Sequence, residues 1–67
     1  MQARYATLSA REREVLGLLV QGLRNKQTAG RLGISEVTVK VHRHNLMDKM
    51  QATSLQALLA MVAQIGA

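Results

Sequence analysis

Leu32-Gly33-Ile34-Ser35 separates two helical patterns by so few residues that the chain must turn sharply there, and this constrains the fold more than any other stretch. Gly33 can take a positive φ without the Cβ penalty that closes the left-handed region to other residues. Ser35 can accept a hydrogen bond from the unpaired N–H groups that open the next helix. Ala29 precedes the glycine by four residues and Val39 follows it by six, so a small residue meets a β-branched one where two helices cross. Two helices joined this tightly have the layout of a helix-turn-helix, whose second helix enters the major groove of DNA.

The flanking sequence supplies two more helices and no strand pattern, so the expected fold class is all-α, a four-helix bundle around a central helix-turn-helix. Ser9-Ala10-Arg11-Glu12 is an S-x-x-E capping box opening the first helix, along which Val15, Leu16 and Leu19 repeat at helical spacing with Leu18 beside them. Gly22 stops it. Asn25 is the expected N-cap of the second helix, which is about two turns long and needs packing to persist. The third runs from Glu36 to about Met50. Val39, Leu46 and Met50 fall on one side of it as the expected buried stripe, and Val37, Val41 and His44 lie opposite with Lys40 at their edge. Arg43 sits nearer the buried side and is expected to reach outward along a flank. Thr53-Ser54-Leu55-Gln56 reads as a second capping box, opening a fourth helix with Leu55, Leu59 and Val62 as its core stripe. Residues 1–7 have no periodicity and are expected to be a flexible lead-in to a domain over residues 8–66.

Charge narrows the partner. The net charge is +5, and residues 24–49 hold Arg24, Lys26, Arg31, Lys40, Arg43 and Lys49 against only Glu36 and Asp48, whereas residues 50–67 hold none. A positive field concentrated on the turn region suits phosphate. Tyr5 is the single aromatic residue, so the stacking platforms that grip single strands are missing and duplex DNA is favoured. Lys26, beside free N–H groups at a helix start, is a natural phosphate contact. The fourth helix carries Ala57, Leu58, Met61 and Ile65 on or beside a face without charge, the kind of surface that meets another protein.

Other chemistries fit poorly. His42 and His44 are two apart on a helix and point about 200° away from each other, so they cannot share a metal as an i, i+4 pair can. There is no cysteine for a disulfide or thiolate site, and Gly30 and Gly33 lack the spacing of a phosphate-binding loop. The expectation is a protein that is not an enzyme, with no metal and no cofactor. No apolar run approaches membrane-spanning length, so no membrane partner and a cytoplasmic, nucleoid-associated setting are expected.

Leu8-Ser9, Arg11-Glu12-Arg13-Glu14-Val15-Leu16, Gly22, Asn25-Lys26, Ala29, Leu32, Ile34-Ser35, Thr38-Val39, His42, Leu46 and Lys49-Met50 resemble the signature of the LuxR-type (GerE-like) helix-turn-helix domain over residues 8 to about 65. Asn45-Leu46-Met47-Asp48-Lys49-Met50 with Ser54-Leu55 resembles the branch found in FixJ-like response regulators. The resemblance implies a transcription regulator whose DNA-binding output domain dimerises through its last helix and follows an upstream receiver domain. It places Asn25, Lys26 and Thr38 near phosphates, Lys40, Val41 and His44 against base edges, and Lys49 on the DNA backbone. Thr28 departs from it, standing where the family usually has an apolar residue.

Taken together, the expected base contacts are Val37, Lys40, Val41 and His44. The expected phosphate contacts are Asn25, Lys26, Thr38, Arg43 and Lys49, and the expected interface of a weak homodimer is Ala57, Leu58, Met61 and Ile65. Double-stranded DNA is the main partner, with an upstream receiver domain and RNA polymerase as further ones. The rival reading is a protein-binding helical adaptor that acts through its fourth helix.

Overall fold

The computed structural model describes residues 5–65, with side chains through residue 63. Four helices follow one another: α1 (Ala10–Val20), α2 (Asn25–Leu32), α3 (Glu36–Met50) and α4 (Leu55–Ile65), with no strand among the described residues.

Each boundary has a local cause. The Ser9 hydroxyl accepts from the Glu12 N–H at 3.1 Å and the Glu12 carboxylate accepts from the Ser9 N–H at 2.8 Å, closing the expected capping box. At the other end of α1, Gly22 takes φ 91° while its N–H reaches the Leu19 carbonyl and that of Leu23 reaches Leu18, at 2.9 and 3.1 Å. These two bonds are a Schellman ending, and they use carbonyls that α1 would otherwise leave bare. Gly33 stops α2 at φ 69° and ψ 34°, with the Ile34 N–H on the Ala29 carbonyl at 3.0 Å. Ser35 then caps α3 by accepting from the Thr38 N–H at 3.1 Å, so the turn between α2 and α3 is three residues long.

Two expected caps move by one residue. Arg24, with an extended backbone, holds the N-cap position of α2, and its N–H donates to the Gln27 side chain at 2.9 Å. Asn25 is therefore the first helical residue and does not cap. Ser54 rather than Thr53 caps α4, because the helix begins at Leu55 and the Ser54 hydroxyl accepts from the Ala57 N–H at 3.1 Å.

The core joins Leu8, Val15, Leu16 and Leu19 to Ala29, to Val39, Leu46 and Met50 of α3, and to Leu58 and Val62 of α4. α3 packs on both α1 and α2 through the stripe expected for it, and its three apolar members are fully buried. Fully burying one such side chain contributes about 1.5–3 kcal/mol, which is what keeps the short α2 and α3 folded. Ala29 is buried opposite Val39 in this cluster, as the spacing about Gly33 predicts.

α4 departs from expectation. Leu58, expected at a dimer interface, is fully buried in the core, and Met61 is half-buried against it, so neither forms a free outer surface. The core stripe is Leu55, Leu58 and Val62, and Leu59, expected inside, lies at the half-exposed margin. Exchanging Leu59 for Leu58 while Leu55 and Val62 stay inside turns α4 by roughly 30–40° from the expected register, about a third of one residue's 100° step; an almost uniformly apolar helix has no charged side to fix its rotation. Its outer stripe is Gln56, Leu59, Ala60 and Ala63, while Ala57 is intermediate and the Ile65 side chain falls outside the described residues.

The expected flexible lead-in is also corrected for residues 5–7. Tyr5 and Ala6 are helical, the Tyr5 ring packs against the core and lies 5.2 Å from the Arg13 guanidinium, and Arg13 donates to the Ala6 carbonyl at 3.3 Å. Residues 1–4 of that expected segment, and residue 66 of the domain, lie outside the described residues.

Candidate nucleic-acid interface

Because Val39, Leu46 and Met50 face inward, the side of α3 opposite them is fixed by helix geometry to face solvent. Val37, Lys40, Val41 and His44 all lie there, at the i, i+3, i+4, i+7 spacing of one continuous stripe, and all four are exposed. Val37 retains 70% of its surface and Val41 52%, the largest exposures among the big apolar side chains of the described residues. All four residues expected at base edges are therefore side by side on one face.

The residues expected at phosphates divide. Lys26 is exposed on the first turn of α2, whose opening N–H groups have no side-chain cap. Arg24, which the sequence reading did not single out, is exposed one residue before that helix, and among the described residues Arg24, Lys26 and Lys40 form no ion pair. The signal for Arg24 was its place next to Asn25, but it emerges only once the helix start is known. Arg43 is half-buried and its Nη1 donates to the Asn25 Oδ1 at 3.3 Å, joining α3 to the start of α2. Thr38 is half-buried and its hydroxyl shares a 2.8 Å hydrogen bond with that of Ser35. An open cleft of about 520 Å³ runs along α3 beside the start of α2, with Asn25, Lys40, Arg43, His44 and Asp48 on its polar side and Met47 and Ala52 on its apolar side. Arg43 also borders a second cleft of about 440 Å³, shared with Arg24 and Lys26.

Lys49 does not join them. Its Nζ lies 2.8 Å from the Glu12 Oε1, on the flank of α3 that packs toward α1, and this ion pair takes up the charge expected to meet a phosphate. Glu12 is 4% exposed and accepts from the Ser9 N–H through the same oxygen. The Lys49 ammonium, followed by the Ser9 N–H, holds its carboxyl below the ordinary glutamate value of 4.5 despite the opposing effect of burial. Lys49 therefore braces α3 against the start of α1. Sequence reasoning explained Glu12 as a cap and could not see a partner 37 residues away.

This stripe can serve two kinds of recognition at once: ammonium and imidazole groups for polar base edges, and valines for apolar ones. The cations around α2 suit phosphates on either side.

The family model described as bacterial regulatory proteins, luxR family, matches residues 6–62. The response regulator protein TmoT of Ectopseudomonas mendocina is 51% identical over 65 residues, covering 97% of this chain and 30% of that protein. The transcriptional regulatory protein FixJ of Rhizobium meliloti is 54% identical over 66 residues, covering 98% of this chain and 32% of the relative. Among solved structures, the response regulator StyR superposes with a TM-score of 0.92 at 51% identity, over 94% of this chain and 32% of that one. The chain thus spans about a third of the length of the relatives it matches.

Proposed function

The chain belongs to the luxR family of bacterial regulatory proteins, and we propose that it binds double-stranded DNA sequence-specifically as the output domain of a response regulator. The observation that carries this is the exposed stripe Val37-Lys40-Val41-His44 on the helix whose other side is the core. α3 lies in the major groove, where Lys40 donates to guanine O6 or N7, Val41 touches a thymine methyl and His44 meets a polar base edge. Arg24, Lys26 and the first N–H groups of α2 hold one phosphate run, with Arg43 and Asn25 at its edge and Thr38 beside the backbone. Those contacts set affinity and register. The stripe sets sequence.

TmoT and StyR are named as response regulators and this chain matches about a third of each, so a receiver domain upstream of it would supply the signal. Pairing runs through the outer stripe of α4, Gln56, Leu59, Ala60 and Ala63, which carries no charge. One helix pair buries less than the ~1,200 Å² of a stable interface, so the free chain pairs weakly and DNA with two half-sites supplies the second tether. Bound in this way, the domain acts in the bacterial cytoplasm, at the nucleoid, and RNA polymerase is the machinery it influences.

Binding to random and selected duplexes, measured at two salt concentrations, tests the reading. Lys26→Ala should weaken all duplexes alike and flatten the log–log salt dependence by about one ion, and Lys40→Ala should lose ~1–3 kcal/mol only on the selected site. Duplex binding indifferent to salt would instead support a protein adaptor acting through α4.

A further inference from the structure

Val37 is the most exposed large apolar side chain in the described structure, and nothing in the free protein accounts for it. A β-branched residue lowers helix propensity, and it is worth keeping where burial repays the loss, as at Val39. Positions 37 and 41 have no such return, yet both hold valine, one turn apart and flanked by Lys40. A valine has no donor or acceptor, so in a groove it can only cover apolar surface. The one apolar group on the major-groove edge of the natural base pairs is the thymine 5-methyl.

Spacing limits where a second methyl can be. Four helical residues advance about 6 Å along the axis, against about 3.4 Å per base-pair step, so the two valines reach pairs no more than two steps apart. The far end of the stripe is closed by Asp48, four residues beyond His44 on the same face and exposed, whose carboxylate repels phosphate. Along this face of α3, base contact is thereby limited to the two turns from Val37 to His44. We propose that Val37 and Val41 form a paired methyl reader, selecting half-sites that carry two thymines within two base-pair steps beside the guanine taken by Lys40. This rests on the reading that α3 enters the major groove, and it gives Val37, expected at a base edge, a defined chemical target.

Deoxyuridine isolates the methyl, since it differs from thymidine by that group alone. A site is first selected from random duplexes with the 67-residue chain, and each thymine is then replaced singly by deoxyuridine. Burial of one methyl corresponds to about a fourfold change in affinity, so two replacements should each weaken binding about fourfold and the pair about fifteenfold. In the Val37→Ala protein one of the two replacements should become silent, and in Val41→Ala the other; both sites are exposed and Ala is the better helix former, so thermal melting should not fall. Where a C·G pair is placed at either position, 5-methylcytosine should bind about fourfold more tightly than unmethylated cytosine. A selected site indifferent to deoxyuridine, or a Val37→Ala protein that keeps every sensitivity of the parent, overturns the methyl reader while leaving DNA binding intact. Failure of the parent chain to bind any duplex at low salt overturns the DNA-binding reading itself, and the methyl reader with it.

Discussion

Lys49→Met separates bracing from DNA contact. The substitution keeps an apolar stem of similar length and removes the ammonium 2.8 Å from Glu12. Breaking a fully buried pair costs about 3–5 kcal/mol, whereas exposed pairs are worth about 0–1. Here the Glu12 side chain is 5% exposed and that of Lys49 40%, so a loss of roughly 1–3 kcal/mol is expected. For a chain of this length the whole folding free energy is of the order of 3–10 kcal/mol, so the effect is large. Its pH dependence has a definite sign. The folded-state pKa of Glu12 is depressed, so its contribution is present above the ordinary value of 4.5 and is lost as pH falls through the lower folded value. In the variant the largest cause of that depression is gone while burial still pushes upward, so acid destabilisation should begin at higher pH. Urea titrations from neutral pH down to about pH 3 should therefore show a gap between the two proteins that narrows as Glu12 becomes protonated in both. DNA binding by the folded variant should keep the parent's salt dependence. Equal stability at neutral pH, or a salt slope lower by one ion, would refute the bracing role and return Lys49 to the phosphate contacts.

Two further outcomes follow from particular side chains. Thr28 is fully buried and its hydroxyl has no hydrogen-bond partner among the described residues, so the near-isosteric Thr28→Val should raise the urea midpoint by a stabilisation of ~1–2 kcal/mol with the slope unchanged; a lower midpoint would mean the hydroxyl is satisfied. Ala60→Asp puts a charge on the outer stripe of α4 away from the core, and should abolish cooperative filling of two half-sites while leaving the helical circular dichroism unchanged; cooperative filling that survives would move the dimer contact elsewhere.

The parts legible in the sequence are those set by local chemistry. Ser9 with Glu12, Gly22, Gly33 and Ser35 act on backbone groups within a turn of themselves, so their residue types announce the helix boundaries they make. α3 was legible because its faces differ: Val39, Leu46 and Met50 inside, Lys40 and His44 outside. α4 was not, because Leu55, Leu58, Leu59, Met61 and Val62 offer several equally apolar stripes, and only packing into the assembled core chooses among them. Thr53 and Ser54 are likewise both competent caps, and the backbone decides between them. Lys49 reads differently in the fold for another reason: a basic residue on a basic helix suggests a phosphate contact, and its 2.8 Å partner Glu12 is 37 residues away in the chain.

The division of labour among the cations explains how so small a domain can hold a reading surface steady. α3 is tied on one flank by Arg43 to Asn25 at the start of α2, and on the other by Lys49 to Glu12 at the start of α1. Both ties end in the first turn of the helix they reach, and the Glu12 tie shares an oxygen with the cap that creates that turn. The angle at which α3 projects is therefore held by polar groups outside the exposed stripe as well as by its core stripe. Arg24, Lys26 and Lys40 keep their charges free of such ties. An exchange within the stripe should then change which sequence is bound without moving the helix, whereas an exchange at Glu12 or Arg43 should shift every contact of the stripe together, because a reading surface discriminates only as finely as its supports fix it.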